Sequence, residues 1–145
     1  MGWKTVLLAA CTVVNVYVFA ASVYLALVLY PRFGSVERSA WADAYHAYAQ
    51  TNGWAFVPWE LLAFALTLAL YAARPESAPA WGVHVAAACG LAYFVVTFGW
   101  HLPAHKVLEA QGNSPELLAP LLSTQWLRTA VQLPRVAVLV WMLVR

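Results

Sequence analysis

The sequence predicts an all-α protein: a four-transmembrane-helix bundle with a short amphipathic interfacial helix between helices 1 and 2. Three observations predict it. The 145 residues are 63% hydrophobic and 10% charged, whereas a water-soluble domain has roughly 45–50% apolar and 25% charged residues. Most of the surface therefore faces something other than water. Four apolar stretches are long enough for the ~20 residues that a helix needs to cross a ~30 Å hydrocarbon core. None of them alternates with period two, and backbone groups in lipid must pair within their own segment, which leaves helices. Many of the 8 Trp and 7 Tyr stand near the ends of these stretches, as aromatic belts at the headgroup level do. Residues 1–145 read as a single membrane domain, with no internal repeat.

The first span, about residues 5–30, carries no charge. Leu8-Ala9-Ala10-Cys11 matches a lipoprotein cleavage box, but too few apolar residues precede Cys11 for the ~7–15-residue core of a signal peptide. The segment is expected to remain as a membrane helix. Pro31 is expected to stop it, because proline disfavours helical geometry in the residue before it. Ser35 is then placed to cap a helix over 36–50. On that helix Trp41, Ala44, Tyr45 and Tyr48 share one side and Ser39, Asp43 and Gln50 the other, the pattern of a helix lying in the headgroup plane. The second span, about 54–73, carries one acid, Glu60. A polar turn from Arg74 to Pro79 leads to the third span, about 81–100. Beyond Pro103 a short outer helix should end at Gln111-Gly112-Asn113, a helix-stop signal. Ser114, with Pro115 and Glu116 after it, opens the fourth span, about 118–144, in N-cap style. Cys11 and Cys89 lack metal-ligand spacing and read as small packed hydrophobes.

Four spans put both termini on one side. Basic residues tie across the two faces, with Lys4, Arg74 and Arg145 against Arg32, Arg38 and Lys106, so the orientation signal is weak. The reading is a multi-pass protein of a bacterial inner membrane with both termini cytoplasmic. A net charge of +2 is too small and too scattered for a nucleic-acid binder. The partners expected are the lipid bilayer, a small apolar ligand or quinone, and either a second copy of the chain or a larger membrane complex.

Charged groups in a helix centre cost ~2.5–3.5 kcal/mol each and face the bundle, where they find partners. Glu60 lies about 9 Å into the second span from the outer end, and Arg128 about 15 Å into the fourth, at 1.5 Å per residue. The two are natural partners. Arg135, seven residues on, shares the face of Arg128 and needs partners of its own. His101 and His105 stand at the outer end of the third span, and His46 and Gln125 belong to the same side. Pro103 should bend the backbone between the two histidines. Three roles stay open for them: metal ligands, since His101, His105 and Glu60 would make a three-ligand site; acid–base or substrate-binding groups without metal; or hydrogen-bonded interface residues. No other cofactor is indicated.

Tyr30-Pro31-Arg32-Phe33 with Tyr45-His46, Pro58-Trp59-Glu60-Leu61, and His101-x-x-x-His105 with Gln125-Trp126-Leu127-Arg128-Thr129 and Arg135 together resemble small bacterial four-helix membrane proteins akin to the anthrone-oxygenase-like family. The resemblance implies a four-helix bundle and, for some members, oxidation of a polycyclic phenol to a quinone without an obvious cofactor. It points to His46, Glu60, His105, Trp126, Arg128 and Arg135. Gln125 and Leu133-Pro134 depart from its pattern. The expected site is one polar pocket in the outer half, under a lid formed by helix 36–50. His101, His105 and Glu60 would be catalytic there, and Arg128, Arg135, Trp126, Gln125 and His46 would bind substrate. A non-catalytic subunit of a larger complex and a metal-binding or small-solute transport protein are the alternatives.

Overall fold

A computed structural model describes residues 2–145. Helical stretches over Trp3–Phe33, Arg38–Ala73, Ala80–Gln111 and Pro115–Val144 are long and apolar enough to cross a membrane; the chain is a multi-pass membrane protein, an all-α four-helix bundle. The elements are α1 (Trp3–Phe33), α2 (Trp41–Ala55), α3 (Val57–Ala73), α4 (Ala80–Gln111) and α5 (Pro115–Val144). They close a ring in which α5 packs on α4 and α1, and α3 packs on α1 and α4. Phe56, at φ −122°, breaks α2 from α3. Pro58 follows in the first turn of α3, where its missing N–H offers nothing to the carbonyl of Trp54.

Lipid tails are as apolar as leucine, so close packing holds such helices together. Around the termini the core is built from Leu8, Leu70, Val83, Ala86, Leu139 and Met142. Two glycines on α4 set the approach distance. A Cβ at Gly82 would stand 2.5 Å from Met142 Sδ, and one at Gly90 would stand 2.7 Å from the Phe64 ring. At the far end, Leu25, Tyr30, Phe33, Trp41, Tyr45 and Leu108 form a second, more aromatic core.

The prolines act differently from expectation. α1 runs on through Pro31 to Phe33, and α4 runs on through Pro103 to Gln111. Each helix instead widens into one π-turn, Leu25–Leu29 in α1 and Thr97–His101 in α4. The cause is steric: a proline ring clashes with the carbonyl four residues earlier and gives it no hydrogen. Those carbonyls belong to Leu27 and Gly99, which lie inside the two π-turns. Such single widened turns occur often at functional sites.

The short helix also differs. It starts at Trp41, after a 3₁₀ turn over Arg38–Ala40, and Ser35 donates to the Arg32 carbonyl (2.8 Å) rather than capping it. Its aromatic face meets protein: Trp41 and Tyr45 are buried, and Trp41 Nε1 donates to the Leu108 carbonyl at 3.0 Å. The stop after Gln111 is as read, with Gly112 at φ +98°, a backbone region that glycine enters without a Cβ penalty. Asn113 then donates to the carbonyls of Phe33 and Val36, both at 2.7 Å.

Candidate functional site

At the far end of the bundle, five side chains from three helices converge. Tyr30 comes from the end of α1, Tyr45 and Tyr48 from α2, and His101 and His105 from α4. Tyr30 Oη lies 2.8 Å from Tyr48 Oη, 3.2 Å from His101 Nε2 and 3.1 Å from His105 Nε2. The two Nε2 atoms are 3.2 Å apart. A π-turn ends at His101 and the helix runs on from Leu102, and the two imidazoles share one face, with ring centroids 4.7 Å apart. Tyr48 stacks on His105 at an interplanar angle of 11°.

Hydrogen placement follows from the outer partners of the rings. Thr124 Oγ1 lies 2.9 and 3.0 Å from the carbonyls of Pro120 and Leu121 and donates there. It therefore accepts from His101 Nδ1 at 2.9 Å, which leaves His101 Nε2 bare. Tyr45 Oη touches both His105 Nδ1 (2.9 Å) and the His105 carbonyl (3.2 Å). If Tyr45 donates to the carbonyl, His105 carries its proton on Nδ1 and its Nε2 is bare too. If Tyr45 donates to Nδ1, the His105 proton sits on Nε2 and faces Tyr30 and His101. The cluster thus has two self-consistent proton settings.

A second polar group fills the middle of the bundle. Arg128 donates to Gln125 Oε1 (2.8 Å) and to the Tyr93 hydroxyl, and lies over the Tyr93 ring at 4.6 Å. Gln125, fully buried, donates to the carbonyl and hydroxyl oxygens of Ser22 at 2.9 and 2.8 Å. Arg135, 1% exposed, donates to Thr67 Oγ1 at 3.0 Å. Glu60 accepts from Gln132 at 3.5 Å. Among the described residues Glu60 makes no ion pair with either arginine, and Tyr93 stands beside both Glu60 and Arg128. The expected direct Glu60–Arg128 pair is thus replaced by a neutral intermediary.

Two spaces adjoin these groups. A small cavity of about 40 Å³ is lined by Ser22, Asn52, Glu60, Tyr93 and Arg128, among others. Asn52 Oδ1 and Glu60 Oε2 are buried there without a protein partner. At ~10–15 Å³ per water, this volume suits a few waters and no aromatic ring. The second space is an open groove of about 440 Å³ between α1 and α2, lined by Tyr24, Leu29, Phe33, Tyr48, Asn52 and Phe56 among others.

The polar groups expected in one pocket form two adjoining groups, and Arg128 borders both, standing beside Tyr30 as well as Tyr93. His101 and His105 meet each other and three tyrosines. Glu60, Arg128 and Gln125 meet in the middle of the bundle, and Arg135 lies deeper against Thr67. Among the described residues no cluster of three or more His, Cys, Asp or Glu could hold a metal, so Glu60 does not join the histidines as a third ligand. Trp126 is 46% exposed on the outer surface of α5, and His46 is exposed on α2; neither reaches the site, because each lies on the helix face opposite the packed one. The residues missed as site residues were Tyr30, Tyr45, Tyr48, Tyr93 and Thr124. A tyrosine in mid-span, far from either belt, was the available signal for Tyr93, since a buried hydroxyl needs a partner.

The chain matches no family model, and no curated protein or solved structure is significantly similar to it.

Proposed function

We propose that the protein takes a small, partly apolar phenol- or quinone-like molecule from the bilayer into the groove between α1 and α2 and exchanges a proton with it. One observation carries this reading. Tyr48 lines the groove, its hydroxyl lies 2.8 Å from Tyr30, and Tyr30 reaches the imidazoles at 3.2 and 3.1 Å. An apolar space thus connects to a base through two hydroxyls. Its size lies within the ~300–1,000 Å³ of small-molecule sites, and a positioned base contributes roughly 10²–10⁴-fold to proton transfer. Proton loss from a phenol leaves an electron-rich phenolate; oxidation to a quinone then requires an external oxidant such as dioxygen to take the electrons. The setting is a bacterial inner membrane with both termini cytoplasmic.

The test is binding of a short-chain benzoquinone and its quinol to the protein in lipid nanodiscs, followed by tryptophan quenching. Ala47→Trp places an indole in the groove and should abolish saturable binding with the fold intact. Unchanged binding in that variant would remove the groove from consideration. A second reading, a non-catalytic subunit of a larger complex, is supported by the mid-bundle network, whose bonds join α1, α3, α4 and α5 with no ligand needed.

A further inference from the structure

We propose that Tyr30, His101 and His105 form a binding site for a divalent transition-metal ion of the Zn²⁺ or Cu²⁺ class. Three donor atoms, Tyr30 Oη, His101 Nε2 and His105 Nε2, make a triangle with edges of 3.2, 3.1 and 3.2 Å. Bonds of about 2.0 Å in a tetrahedral zinc site put ligand atoms about 3.3 Å apart. The triangle therefore has nearly the dimensions of one face of such a tetrahedron. Two imidazoles and a phenolate are donors suited to zinc and copper.

The outer contacts support the same assignment. A ligating histidine donates its other ring N–H to a fixed partner, which sets the tautomer and aims the free nitrogen. His101 Nδ1 meets Thr124, and His105 Nδ1 meets Tyr45. In the setting where both Nδ1 atoms carry hydrogen, two bare Nε2 lone pairs face each other at 3.2 Å, and the one Tyr30 proton cannot serve both. A cation between them resolves that opposition. Loading replaces the Tyr30 proton, which leaves to solvent, and keeps both imidazoles neutral. Tyr48 borders the groove and touches Tyr30, so the site lies one side chain away from the groove. The third ligand is a phenol on α1, not a carboxylate or thiolate. The site stands on this geometry and does not depend on what occupies the groove.

The experiment uses untagged full-length protein in detergent, stripped with a chelator and titrated with Zn²⁺ by calorimetry and with Cu²⁺ by absorbance. The expected result is one equivalent of Zn²⁺ per chain, and with Cu²⁺ a visible phenolate charge-transfer band that Tyr30→Phe removes. Thr124→Val, which deletes no ligand, should weaken binding about 10–100-fold. The paired change His101→Gln with His105→Gln should eliminate stoichiometric uptake. Helical circular dichroism reports folding, and Tyr30→Phe and Thr124→Val decide the matter if the double variant does not fold. No uptake of either ion by folded wild type overturns the proposal and leaves a shared proton between the rings. Uptake that none of these variants alters overturns it as well.

Discussion

Tyr30→Phe isolates the hydroxyl that ties three helices together. Tyr30 is 1% exposed, and its oxygen contacts Tyr48, His101 and His105 at 2.8, 3.2 and 3.1 Å. In the setting where His105 carries its proton on Nε2, Tyr30 accepts from Tyr48 and His105 and donates to His101, which lies within a phenol's capacity, so all three contacts form together there. Interhelical hydrogen bonds in membrane proteins average about 0.6 kcal/mol, and three of them sum to about 2 kcal/mol. Tyr48→Phe breaks one and should cost about 0.6 kcal/mol by the same measure. The phenyl ring itself keeps its packing on Phe33 at 5.5 Å, so the difference reports the hydroxyl. The assay is reversible unfolding in mixed detergent micelles with SDS as denaturant and a chelator present, so that no metal contributes. A Tyr30→Phe cost equal to that of Tyr48→Phe, or one below about 0.5 kcal/mol, would refute the three-contact hub.

Gly90→Leu should destabilise the bundle by about 1–3 kcal/mol in the same unfolding assay, since the Cβ alone would meet the Phe64 ring at 2.7 Å. Trp126→Leu should leave stability within about 0.5 kcal/mol and quinone binding unchanged, because that indole lies on the outer surface; a loss of binding would return it to the site. A double-mutant cycle of Glu60→Gln and Arg128→Leu should give a coupling below about 1 kcal/mol, as Glu60 bonds Gln132 while Arg128 bonds Gln125 and Tyr93. A coupling of several kcal/mol, the scale of a broken buried ion pair, would show that the two charges meet directly.

The spans were legible because lipid permits so few alternatives: composition and run length alone decided them. The histidine pair and the buried arginines were legible as polar groups with no water to face. Their grouping was not. Glu60 and the histidines belong to one half of the bundle by depth, yet depth along a helix says nothing of azimuth. Azimuth at the far end depends on the two π-turns, which no hydrophobic periodicity announces. Tyr30 was hidden for another reason. A tyrosine at the end of a span reads as belt, and only the α2 helix folding over it turns a headgroup residue into a core one. The aromatic face of α2 was legible from its spacing, but its packing on Phe33 and Leu108 was not.

Each widened turn inserts close to one extra residue into its helix, and one residue is about 100° of rotation. Everything beyond Leu29 on the first helix, Tyr30 included, is clocked around the axis by that amount. Deleting a single residue within 25–29 would restore the ordinary pitch and swing the phenol toward the acyl chains, while the half of the bundle holding the termini kept its register. The same deletion within 97–100 would carry both imidazoles away together. The far end of this protein is thus phased by two one-residue insertions, and length changes there act as rotations rather than as shortenings.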